Sequence, residues 1–150
     1  MNRLVLCVAL AAAFFFFRQS HPPAGPVAPV TPVTPEVVVV PSLAKYRSQM
    51  TVEDRTALAQ CYEILGKSVA ANPVDDPVIP SVAALNDVHR AALLFVWRGV
   101  LGNEPGKYEG LREELEGLLK DAVGEADVPL NPAVQRDAAT LFDNISRSLR

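Results

Sequence analysis

Between Pro22 and Pro41 the chain can be neither helix nor sheet. Pro23, Pro26, Pro29, Pro32 and Pro35 recur at every third residue, interleaved with Ala24, Val27, Val30 and Val33. Each proline removes a backbone donor and fixes its own φ, so both helix and strand ladders are interrupted along the whole stretch. A three-residue period matches the turn of polyproline II, and residues 21–41 are expected to form an extended linker spanning about 60 Å. A spacer is the simplest role for it. A ligand for an aromatic-grooved module is the sharper reading, but such grooves usually also read a flanking basic residue, and none occurs between Arg18 and Lys45.

What precedes the rod is a membrane signal. Met1, Asn2 and Arg3 lead into fourteen uninterrupted apolar residues, Leu4 to Phe17, closed by Arg18. As a helix this run rises about 21 Å, short of a hydrocarbon core of about 30 Å, which favours a signal peptide. The cleavage chemistry favours an anchor: the small-x-small site Ala11-Ala12-Ala13 would leave four phenylalanines at the new N-terminus. Residues 1–20 are therefore read as a retained signal-anchor, with a removed signal peptide as the alternative. The expected location is a membrane-anchored protein with an exported C-terminal domain, or a secreted one after cleavage. Cys7 lies inside the apolar run rather than after it, which argues against lipidation. Cys61 is the one cysteine beyond the run, so no disulfide can form within the domain. The net charge of −3 argues against a nucleic-acid partner.

Residues 42–150 read as all-α, a small bundle of about four helices with short connections. Ser42 to Met50 forms a turn or two. Thr51, with Asp54 three residues on, resembles a capping box and opens a helix to about Ala71, stopped by Asn72-Pro73. Its apolar stripe is Leu58, Cys61, Tyr62, Leu65 and Val69. Ser81 caps a second helix to about Leu101, ending at Gly102. A third follows the turn Asn103-Glu104-Pro105-Gly106, with a heptad-like stripe of Tyr108, Leu111, Leu115, Leu118 and Ala122, and stops near Gly124. Asn131 as N-cap with Pro132 at the first helical position starts the fourth, whose apolar face is Val134, Ala138, Leu141, Phe142, Ile145 and Leu149. No stretch alternates with period two for long enough to be a strand.

No catalytic, cofactor-binding or metal-binding constellation emerges, and the expectation is none of each. Gly102 to Tyr108 has glycines and a lysine like a phosphate loop, but its spacing is one residue short and a helix precedes it, so a helix–helix turn is expected. His89 falls beside Leu85, Val96 and Val100 at 100° per residue, the position of a hydrogen-bonded core histidine. Cys61 lies in an apolar stripe and reads as a small hydrophobe. Asp75-Asp76 lacks the ligand pattern of a calcium loop. The acidic residues of the third helix mix with Arg112 and Lys120 at pairing distance, including Arg112 to Glu116 and Glu116 to Lys120, the mark of a solvated face. Asn144-Ile145-Ser146 is a glycosylation sequon placed inside a helix.

The second helix is apolar nearly all round, every residue from Ala91 to Trp97 being apolar, as expected of a central element. One face holds Leu85, Val88, Ala92, Phe95 and Gly99. The other holds Asn86, Arg90, Leu94, Trp97 and Leu101. Either the 42–50 segment, the first helix or the fourth covers this second face, or Arg90, Leu94, Trp97 and Leu101 form a partner-binding patch, since Trp and Arg are enriched at binding hot spots. The layout of anchor, rod and bundle reads as a membrane-tethered or exported module acting through protein–protein contact. Its partners are the membrane, through residues 4–17, and a protein of unknown identity; self-association into a homo-oligomer is compatible with the same surface. The alternative is a small exported hydrolase or lysis-type factor using carboxylates, which requires a cleft joining His89 to acidic residues of raised pKa.

Overall fold

Capping chemistry sets most of the helix boundaries. In a computed structural model of the chain, the described residues are 40–72, 78–99, 101–102, 104 and 106–150. The expected membrane segment, the proline rod, the Asp75-Asp76 pair and Val100 lie outside them. A single 3-10 turn, Pro41–Leu43, leads into α1 (Ala44–Gln49); α2 (Val52–Ala71), α3 (Val82–Gly99), α4 (Leu111–Val123) and α5 (Pro132–Leu149) follow. The described residues are all-helical with five helices. They contain no strand, only an isolated antiparallel bridge between Ser81 and Pro129.

Thr51 Oγ1 accepts the Asp54 N–H at 3.1 Å, and α2 begins one residue later. The expected capping box closes on one side alone. Asp54 turns its carboxylate away, and the Thr51 N–H donates instead to the hydroxyl of Tyr108 at 3.2 Å. At the other end Asn72 adopts φ −76°, ψ 120°, the extended geometry demanded of a residue before proline. Ser81 Oγ accepts the Ala84 N–H, and Asn131 Oδ1 accepts from both Ala133 and Val134 at 3.0 Å. Each satisfies donors that the first helical turn leaves without an internal partner.

The main interface pairs α2 with α5, the first long helix with the last. They run antiparallel, and α5 also packs on α4, α4 on α3, and α3 on α2. A Cβ on Gly66 would sit 3.5 Å from Phe142 Cβ and 3.4 Å from the Ala139 carbonyl, so the absent side chain lets the two helices approach closely. Leu58, Ala59, Tyr62, Leu65 and Val69 meet Ala138, Phe142, Ile145 and Leu149 in one core, while Cys61, Val134 and Leu141 are half-buried at its edge.

Three polar residues of α5 share that buried face. Gln135 Nε2 donates to the carbonyls of Val69 and Asn72, closing the C-terminus of α2 from the opposite helix. Ser146 Oγ donates to the Ala59 carbonyl at 2.8 Å, and Ser148 Oγ accepts the Val40 N–H at 3.0 Å while donating to the Asn144 carbonyl.

Two expected stripes shift. In α4 the buried residues are Leu111, Leu115 and Leu119; Leu118 is half-buried and Ala122 exposed. A helix of 13 residues stays straight enough to present four-residue steps, without the supercoil a heptad needs. Tyr108 lies outside α4 altogether, and Gly110, expected as a costly interior glycine, is the N-cap at φ 80°. α3 ends two residues earlier than expected, and Leu101 folds back into the core with its N–H on the Val96 carbonyl.

Candidate functional site

In α3 the core stripe is Val82, Leu85, Asn86, His89, Leu93 and Val96. It runs between the two faces expected from the sequence. With every residue from Ala91 to Trp97 apolar, composition gives no contrast from which to read the helical phase, and Leu93 takes the centre. At 100° per residue Trp97 and Arg90 flank this stripe, whereas Leu94 points nearly away from it.

The four candidate contact residues divide accordingly. Leu101 is 1% exposed and belongs to the core. Trp97 is half-buried and packs against the core edge. Leu94 and its neighbour Phe95 are half-buried, and neither joins the core cluster. Arg90 is exposed and bonds Asp87 at 3.2 Å on its own helix and Glu116 of α4 at 3.5 Å. The element alongside this flank is therefore α4, which also supplies the Gly124 carbonyl to Asn86 Nδ2 at 3.0 Å. The 42–50 segment, α2 and α5, expected as its cover, lie elsewhere; the connection from α3 to α4 is short enough to lay α4 back along the flank. The remaining surface candidate is Arg90, Leu94 and Trp97.

His89 is a core residue. It is 1% exposed, its Nε2 lies 2.7 Å from the Tyr62 hydroxyl, and its ring packs against Tyr62 and Phe142 at centroid separations of 5.6 and 5.3 Å. Burial, with the nearby Arg90 charge adding to it, depresses the imidazole to about 4. Burial likewise pushes the Tyr62 phenol well above its ordinary range. No carboxylate faces the ring among the described contacts.

A second polar cluster, unexpected from the sequence, gathers at the start of α2. Asp54 Oδ2 accepts the Tyr108 hydroxyl at 2.6 Å and faces Lys107 Nζ at 3.0 Å; the ammonium also donates to the Leu101 carbonyl at 3.2 Å. Burial raises the Asp54 carboxyl, but the hydrogen bonds from Tyr108, Lys107 and Thr51, with the Lys107 charge, outweigh it and hold the group below its ordinary range. The sequence signal was the Thr51–Asp54 spacing, which the capping role absorbs.

That cluster also answers the resemblance to a phosphate loop. Gly102 and Gly106 are left-handed, as in a tight helix–helix turn, and the Lys107 amine is engaged by Asp54 and Leu101. Arg112 does approach Glu116, but Lys120 pairs with Glu125 rather than Glu116. Glu63 and Glu125 titrate lower than usual beside Lys67 and Lys120, the opposite of a raised general acid. Within the sequon, Ser146 is buried and its hydroxyl engaged, so the triplet is locked in helix. Cys61 is half-buried. Among the described residues no group of three or more His, Cys, Asp or Glu side chains could hold a metal, and no helix is long and apolar enough to cross a membrane. No family model, no curated protein and no solved structure matches the chain.

Proposed function

We propose that the chain is a membrane-tethered or exported helical module that acts by binding a protein partner through the outer flank of α3, with Arg90, Leu94 and Trp97 as contacts. The observation that carries this reading is the pair Leu94 and Phe95, large apolar side chains held on a rigid helix without membership in the core, beside a half-exposed Trp97. A rigid aromatic and an arginine next to apolar surface are the residue types that dominate binding energy in protein interfaces. The tether rests on the apolar run Leu4–Phe17 between Arg3 and Arg18, and the proline period supplies the reach.

Site-specific photo-crosslinking tests the contact surface. A crosslinker at Leu94 of the full chain in its native membrane should trap one protein species, and a crosslinker at the exposed Arg136 of α5 should not. Equal trapping from both positions, or none from either, rejects the surface. An alkaline-phosphatase fusion after Arg150 tests export separately: activity supports it, and an inactive fusion beside a fluorescent cytoplasmic reporter reverses it.

A further inference from the structure

Three of the five residues from Gly106 to Gly110 have left-handed backbone: Gly106 at φ 76°, Tyr108 at 54° and Gly110 at 80°. Glycine adopts this region freely, but tyrosine does so at a cost of conformational energy, so something outside the segment must hold it there. The segment's own backbone bonds are turn bonds at its ends, Lys107 N–H to the Glu104 carbonyl and Glu109 N–H to the Gly106 carbonyl, both 3.2 Å. Its attachments to the rest of the protein converge on one group. The Tyr108 hydroxyl and the Lys107 ammonium both meet Asp54 Oδ2, and the same Tyr108 hydroxyl takes the Thr51 N–H. Bonds that share a single acceptor atom are lost together.

We propose that Gly106–Gly110 is a strap that opens as a unit from the N-terminal end of α2, hinged at its two glycines and caught by the Asp54 carboxylate. Opening uncovers that carboxylate and the Tyr46 hydroxyl, which lies 3.0 Å from where a Gly110 Cβ would stand. It also frees the first turn of α4, whose Leu111 N–H is bonded to the Tyr108 carbonyl at 2.9 Å and whose N-cap supplies no side chain. The strap is thus a conformational device that alternates a sealed ion pair with an exposed carboxylate, while the α2–α5 core stays assembled. Tyr108 supplies the bias toward opening, and Asp54 the bias toward closure.

Native-state hydrogen exchange on the full chain in detergent tests this. The amides of Lys107, Glu109 and Leu111 should exchange through one shared opening, at least about tenfold faster than those of Phe142 and Ile145 in α5. Tyr108→Phe, which removes one hydrogen bond to a charged acceptor, should speed the first set a further tenfold or so and leave the second unchanged. Strap amides that follow the global unfolding isotherm in wild-type protein overturn the proposal, as does an absence of protection at Leu111. Equal acceleration of both sets by Tyr108→Phe overturns it as well. The wild-type measurement stands whether or not a variant folds.

Discussion

The Tyr62 hydroxyl lies 2.7 Å from Nε2 of His89, and this pair joins α2 to α3 in the interior with Phe142 of α5 against both rings. A protonated imidazole at that position would hold a charge that neither ring can answer with a counter-ion. The consequence is a stability that depends on acid.

His89 titrates at about 4 in the folded chain, against about 6.5 when unfolded. Between those values the unfolded chain binds a proton that the folded one does not, so stability is complete above about pH 6.5 and falls as the pH drops toward 4. The loss should reach about 3 kcal/mol, read from urea denaturation at pH 7 and pH 4. Asp54 acts lower on the scale: its depressed carboxyl contributes stability that is lost as pH falls through its folded value, below the ordinary aspartate range. In His89→Leu the slope between pH 6.5 and 4 should flatten, with about 1–3 kcal/mol lost at pH 7 because the Tyr62 hydroxyl has no partner.

Gln135→Ala should cost about 1–3 kcal/mol, since it strands the Val69 and Asn72 carbonyls at the buried C-terminus of α2. Gln135→Leu should not restore the loss, because the missing element is a donor and not volume. Denaturation midpoints of the two variants check this.

Gly110→Ala meets two obstacles, a left-handed backbone and the Tyr46 hydroxyl at 3.0 Å from the new Cβ. A loss of about 1–2 kcal/mol is expected from the backbone alone. Tyr46→Phe removes the second obstacle and not the first. A double-mutant cycle should therefore show a favourable coupling, with part of the Gly110→Ala penalty remaining.

Trp97→Ala and Leu101→Ala should separate cleanly. Leu101 is fully enclosed, and its truncation should cost about 2–5 kcal/mol. Trp97 packs one side on the core edge and should cost about 1–2 kcal/mol, while its loss should also weaken partner crosslinking from position 94. Thermal melting of both variants distinguishes them, and a loss at Trp97 as large as that at Leu101 would make Trp97 a core residue.

Helix starts were legible because a cap is a local event. Thr51, Ser81 and Asn131-Pro132 each bond amides within three residues, and each starts a helix as its chemistry requires. His89 was legible too, since its angular neighbours Leu85 and Val96 are core residues. The polar interior was not. Gln135, Ser146 and Ser148 are buried because particular carbonyls and amides of α2 and the Val40 turn face them, and nothing in their own neighbourhood in sequence announces those partners. Asp54 misleads in the same way: its spacing from Thr51 fits a capping box, whereas its carboxylate answers residues more than fifty positions later. Arg90, Leu94, Trp97 and Leu101 fall on one sequence face, yet only a structure tells which of four neighbours lies under the helix end and which faces water.

The pairing of α2 with α5 also dictates when this domain can come into being. A nascent chain holding the first four helices has an α2 whose apolar stripe, Gly66 cleft and C-terminal carbonyls all await residues between Gln135 and Leu149. Contacts spanning so much sequence form late and slow the search for the native state relative to a bundle of neighbouring hairpins. The core therefore closes only when the last turn of the chain has been delivered, and until then the polypeptide remains in the unfolded, threadable condition that passage through a narrow channel requires.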